Sequence, residues 1–146
     1  MKVSVLSPEF VTNIPADKKD GVLYVSMPYA MAMHRCCCGC GSVVVTPLSP
    51  TDWRLAFDGE SISLDPSIGN WSFPCRSHYW ISKNRVRWAP AWSQKEIEAG
   101  RADDSRAKSR HFERLALEGS GAVPEVAKQR RQDGLWKWLS GLRRHQ

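Results

Sequence analysis

Four of the five cysteines in this chain fall within five consecutive positions, Cys36, Cys37, Cys38 and Cys40. Such short spacings strain any disulfide among neighbours and leave Cys75 as the one distant partner, so a disulfide framework is a poor explanation. In a reducing compartment a knot of thiols is more often a metal site, because thiolates are soft ligands that hold zinc tightly. Zinc needs four nearly tetrahedral donors, or three plus an open place, and proteins supply them as close pairs from two separate turns.

Both halves are present. In His34-Arg35-Cys36-Cys37-Cys38-Gly39-Cys40-Gly41 an extended backbone points Cys36, Cys38 and Cys40 one way and Cys37 the other, while Gly39 and Gly41 let the chain fold around an ion. Cys75-Arg76-Ser77-His78 supplies a Cys-x-x-His pair. Cys36, Cys38, Cys40, Cys75, His34 and His78 are more donors than the ion has places, which leaves His34 free to act instead as an acid or base. If protein fills every place the metal is structural; an open place would hold a water whose pKa falls towards neutrality. On chemistry alone the structural role comes first.

Around these residues the chain reads as β. Residues 21–26 and 42–46 are short β-branched runs, the second stopped by Pro47 and Pro50. Trp53-Arg54-Leu55-Ala56-Phe57 and Ser61-Ile62-Ser63-Leu64 alternate on either side of the Asp58-Gly59 turn, and His78–Ile81 and Arg85–Trp88 flank Ser82-Lys83-Asn84; each set predicts a hairpin. Residues 64–74 predict an irregular loop that brings Ser67, Asn70 and Ser77 beside the metal, where they could stabilise an oxyanion or serve as ordinary turn and capping groups.

Past Trp92 the pattern turns helical. Ser93-Gln94-Lys95-Glu96 has the form of a capping box, Gly100 weakens the helix it starts, and Leu135, Trp138, Leu139 and Leu142 recur at helical spacing further on. Residues 101–146 hold eleven Lys or Arg against six Asp or Glu, which is +5 of the chain's formal +6. The expected fold is therefore α+β: a small β-rich zinc-binding domain of hairpins over residues 1–92, followed by a basic helical C-terminal extension over 93–146. No apolar run suits a membrane span and Ser7-Pro8 breaks any signal-peptide core, so the cytoplasm is the expected compartment.

Three co-linear motifs, His34-x-Cys36-x-Cys38-Gly39-Cys40-Gly41, then Pro66-Ser67-Ile68-Gly69-Asn70-Trp71, then Phe73-Pro74-Cys75-Arg76-Ser77-His78-Tyr79-Trp80, resemble a bacterial family catalogued as a domain of unknown function. The resemblance runs from about Gly21 to Trp92. Members of that family are associated with operons for conjugating ubiquitin-like proteins, and the resemblance implies a zinc-dependent peptidase or isopeptidase that processes or removes such a modifier. It also implies that Cys37, where the family commonly has Pro, is not a ligand. The expected metal ligands are Cys36, Cys38, Cys40, Cys75 and His78, holding Zn2+; the expected catalytic residues are Ser67, Asn70, Ser77 and, as general base, His34.

The implied partners are a ubiquitin-like protein, its conjugates and proteins of the conjugation pathway, with no membrane insertion. Two other readings compete with the enzyme. One is a non-enzymatic adaptor whose zinc only stabilises the fold. The other is nucleic-acid binding through the basic tail, which the acidic residues mixed into that tail disfavour.

Overall fold

The computed structural model describes residues 1–119. The apolar series at Leu135, Trp138, Leu139 and Leu142 lies outside them.

Eight strands are formed among the described residues: β1 (Ser7–Phe10), β2 (Val22–Ser26), β3 (Met31–Arg35), β4 (Val43–Pro47), β5 (Arg54–Phe57), β6 (Ile62–Gly69), β7 (His78–Ser82) and β8 (Arg85–Trp88). They make two four-stranded sheets in the orders β1-β2-β3-β4 and β5-β6-β7-β8, antiparallel except for the parallel pair β1-β2. Successive side chains on a strand face opposite ways, and the inward set from both sheets forms one apolar cluster. Leu23, Val25, Ala32 and Val44 come from the first sheet; Ile62, Leu64, Ile68, Tyr79, Ile81 and Val86 come from the second. The N-terminal residues join the two. Val5 bridges to Arg85 beside β8, Leu6 is fully buried, and the chain then enters β1 against β2.

The fold is the expected one, β hairpins followed by a helix. The β5-β6 turn holds Gly59 at φ 97, and the Asp58 carboxylate accepts hydrogen bonds from the Ser61 and Glu60 amides at 2.6 and 3.1 Å. In the β7-β8 turn both Lys83 and Asn84 have positive φ, as the twist of a two-residue hairpin demands.

Three strand assignments differ from expectation. β1 tolerates Pro8 because it lies at a sheet edge, where a missing amide leaves no ladder bond unmade. β3 places His34, a polar type, on its buried side, which hides the alternation. β6 continues through Asp65-Pro66-Ser67-Ile68-Gly69, where a loop was expected.

Ser93 caps the helix α1 (Gln94–Gly119) as a capping box: Glu96 Oε2 accepts from the Ser93 amide at 2.7 Å, and Ser93 Oγ accepts from the Glu96 amide at 3.3 Å. The helix runs through Gly100, where a Cβ would come within 3.1 Å of the Trp92 ring. Residues Met1–Ala102 form one compact unit, which includes the buried Ile97. The described residues from Asp103 on belong to a second unit and carry local ion pairs such as Lys108 with Asp104. No helix of the described residues is long and apolar enough to cross a membrane.

Candidate active site and metal centre

One loop from each sheet builds the cysteine cluster. The β3-β4 loop is closed by the Cys36 amide on the Ser42 carbonyl at 2.8 Å, and Gly39, at φ +86, lies so close to the Met1 backbone that a Cβ there would come within 2.7 Å of it. The β6-β7 loop is closed by the Asn70 amide on the Ser77 carbonyl at 2.9 Å and carries Cys75. The sulfurs of Cys36, Cys38, Cys40 and Cys75 all lie within 4.8 Å of one another, with Cys36 3.4 Å from Cys38 and 3.9 Å from Cys75. A tetrahedron of metal–sulfur bonds about 2.3 Å long has edges of about 3.8 Å, so the donors fit a metal ion.

The thiols do not ionise alike. Burial raises the Cys36 thiol and, with neighbouring thiols, pushes Cys38 up to about 12, whereas hydrogen bonds from Ser42 pull Cys40 down to about 6. A bound cation would replace the thiol protons and offset that burial. Cys37 turns into the apolar core, where burial pushes it up to about 12, and it stands outside the cluster.

A second centre lies on the other face of the β5-β8 sheet. Between the pairs Leu64 with Ile81 and Ile68 with Tyr79, four steps along β6 cover two steps along β7, so β6 bulges. The bulge carries Ser67, whose Oγ is 2.9 Å from His78 Nε2. His78 Nδ1 is 3.3 Å from the Pro90 carbonyl oxygen. A carbonyl can only accept, so Nδ1 carries the proton and Nε2 is left to accept from the Ser67 hydroxyl.

Three tryptophans surround this ring. Trp71 and Trp92 stack on each other and each meets His78 edge-on at 4.9 Å between centroids, while Trp80 lies 5.6 Å away. Gly69 makes room for them, since a Cβ there would sit 2.3 Å from Trp71 Nε1.

The structure divides the expected site residues into two groups. His78 does not join the sulfurs, because both its ring nitrogens are engaged by Ser67 and Pro90. Asn70 and Ser77 face the sulfurs instead of Ser67: Ser77 Oγ is 3.1 Å from Cys36 Sγ and accepts from Asn70 Nδ2 at 2.9 Å. His34, expected as the base, is fully buried between the sheets, with Nε2 2.9 Å from the Tyr79 hydroxyl and Nδ1 without a partner among the described residues. Burial pushes its pKa down to about 4, so the ring is neutral and sealed from any substrate.

Sequence reasoning missed the role of the Pro90 carbonyl and of Trp71, Trp80 and Trp92. The nearest signal was the density of Trp on either side of His78.

The family described as "Bacterial ubiquitination-like system serine protease (BubE)" matches residues 10–89. The chain belongs to the BubE family. No curated protein and no solved structure matches it. The BubE description overturns the expected zinc-dependent peptidase, because a serine protease takes its nucleophile from a side-chain hydroxyl and not from a metal-bound water. The association with ubiquitin-like conjugation is the part of the resemblance that BubE membership retains. The geometry agrees with the correction: four cysteines are enough to fill a tetrahedral ion, and the hydroxyl of Ser67 meets a histidine away from them.

Proposed function

We propose that this chain is a serine peptidase that cuts a ubiquitin-like modifier from its precursor or its conjugates, with Ser67 as nucleophile and His78 as general base. The observation that carries the proposal is the 2.9 Å contact between Ser67 Oγ and His78 Nε2, with His78 Nδ1 held by the Pro90 carbonyl. The Pro90 oxygen takes the orienting place that a carboxylate holds in a catalytic triad.

Ser67 Oγ attacks the scissile carbonyl carbon as its proton passes to His78 Nε2. The C–N bond then breaks, the leaving amine takes that proton, and the acyl group remains as an ester on Ser67. Water attacks the ester, giving a proton to His78, which returns it to Ser67 as the C–O bond breaks. The Pro90 carbonyl stabilises the positive imidazole through Nδ1–H at each transfer, and the tryptophans keep the ring in place.

Cys36, Cys38, Cys40 and Cys75 would hold a zinc ion, whose bonds to four thiolates would supply folding energy and tie the two loops together. The β6-β7 loop so fixed joins the strand bearing Ser67 to the strand bearing His78. In this reading Cys36, Cys38, Cys40 and Cys75 hold the active site in shape, and Asn70 and Ser77 support their thiolates.

The test is cleavage of a fusion to the ubiquitin-like protein of the same pathway, together with labelling by a small fluorophosphonate that reacts with activated serines. Ser67→Ala is expected to abolish both while leaving bound metal and melting temperature unchanged. Cleavage retained in Ser67→Ala would overturn the proposal.

A further inference from the structure

The outward face of the second sheet continues past the Ser67, His78 pair into a cavity of about 460 Å³ lined by Ser63, Leu64, Asp65, Trp80, Ile81, Ser82 and Arg87. Trp80 links the two places. It stands two residues along β7 from His78, with ring centroids 5.6 Å apart, and it is paired directly across the ladder with Arg87.

The charges on this face do not cancel. Asp65 is neutralised by Arg54, its partner in the β5-β6 register, at 2.7 Å. The exposed guanidinium of Arg87 makes no hydrogen bond or ion pair among the described residues, and Arg85, opposite Ser82, adds a second positive charge to the same face. An aromatic wall beside a guanidinium unpaired among the described residues suits a side chain with an apolar stem and a carboxylate head, since Arg binds carboxylates through paired N–H donors.

We propose that this cavity is a specificity subsite that takes an acidic side chain of the substrate, with Arg87 binding its carboxylate and Trp80 packing on its stem. The inference rests on the assignment of Ser67 and His78 above. An extended peptide advances about 3.3 Å per residue, so the acidic residue lies about two or three positions from the bond cut. Arg87 positions the substrate and takes no part in the proton transfers.

The experiment measures kcat/KM for a series of fusion substrates in which Glu, Gln or Lys is placed in turn at each of the residues nearest the cleaved bond. Fluorophosphonate labelling of Ser67 is followed in parallel. The wild-type protein is expected to prefer Glu over Gln at one of these positions by about tenfold, the scale of a charge-assisted hydrogen bond. Arg87→Gln should erase that preference, and Arg87→Glu should reverse it in favour of Lys, with the labelling rate unchanged in both variants because the small probe does not reach the cavity. An unaltered Glu preference in Arg87→Glu, or no charge preference at any position in the wild type, would overturn the subsite. Absence of labelling in the wild type would instead count against Ser67 as nucleophile.

Discussion

Ser67 and His78 meet across one sheet because β6 carries extra residues that β7 lacks, and the resulting bulge lifts the hydroxyl to within 2.9 Å of Nε2. Bulges commonly re-aim a side chain beside a functional site. In the proposed mechanism the two residues act as one unit, so their loss should not add. Ser67→Ala, His78→Ala and the double variant are expected to have the same residual kcat/KM within error, whereas independent contributions would multiply.

Gly69 is the tightest position near this pair. A methyl group there would stand 2.3 to 2.9 Å from three atoms of the Trp71 indole, which in turn abuts His78. Gly69→Ala should therefore displace Trp71 and tilt the imidazole, costing about 1–3 kcal/mol of stability through overpacking. The fluorophosphonate labelling rate should fall by about tenfold or more, since small misplacements of catalytic groups are costly. Unchanged labelling and melting temperature would show that the indole has room to move.

Metal removal should act through folding. The four sulfurs bring a loop of the first sheet against a loop of the second, where a bound ion would tie them, and structural zinc contributes folding energy of about 10 kcal/mol or more in small domains. Native mass spectrometry is expected to find about one zinc per chain, lost in Cys75→Ser and retained in Cys37→Ala. A chelator should lower the melting temperature and labelling together. Full labelling by a stably folded, metal-free protein would contradict this role.

The buried contact between His34 Nε2 and the Tyr79 hydroxyl, 2.9 Å, joins β3 of one sheet to β7 of the other. Tyr79→Phe leaves the ring packed but strands a fully buried imidazole, which should cost about 1–3 kcal/mol, read as a lower denaturant midpoint at constant slope. Cleavage by the folded variant should be close to that of the parent, because neither group faces Ser67.

Much of the fold is written in local pattern. The hairpins around Asp58-Gly59 and Lys83-Asn84, the β-branched runs of β2 and β4, and the Ser93 to Glu96 box each depend on neighbours in the chain, so they are legible from residue types alone. β3 was not, because its buried face carries His34, and a polar residue inside is explained only by a partner on another sheet. The later half of β6 was not, because Pro66 and Gly69 signal a loop while the strand persists through pairing with β7.

The residues of both centres stood out in the sequence as Cys, Ser, Asn and His, and the chemistry of thiols was enough to gather the cysteines as candidate metal donors. Which histidine serves which group was decided in three dimensions. His78 follows Cys75 by three positions, yet alternation along β7 turns it to the outer face, towards Ser67 and away from the sulfurs; His34 precedes Cys36 by two, yet β3 turns it inward to Tyr79. Residue type sets what a side chain can do. The face of the strand that bears it sets what it meets, and that depends on pairing between segments far apart in the chain.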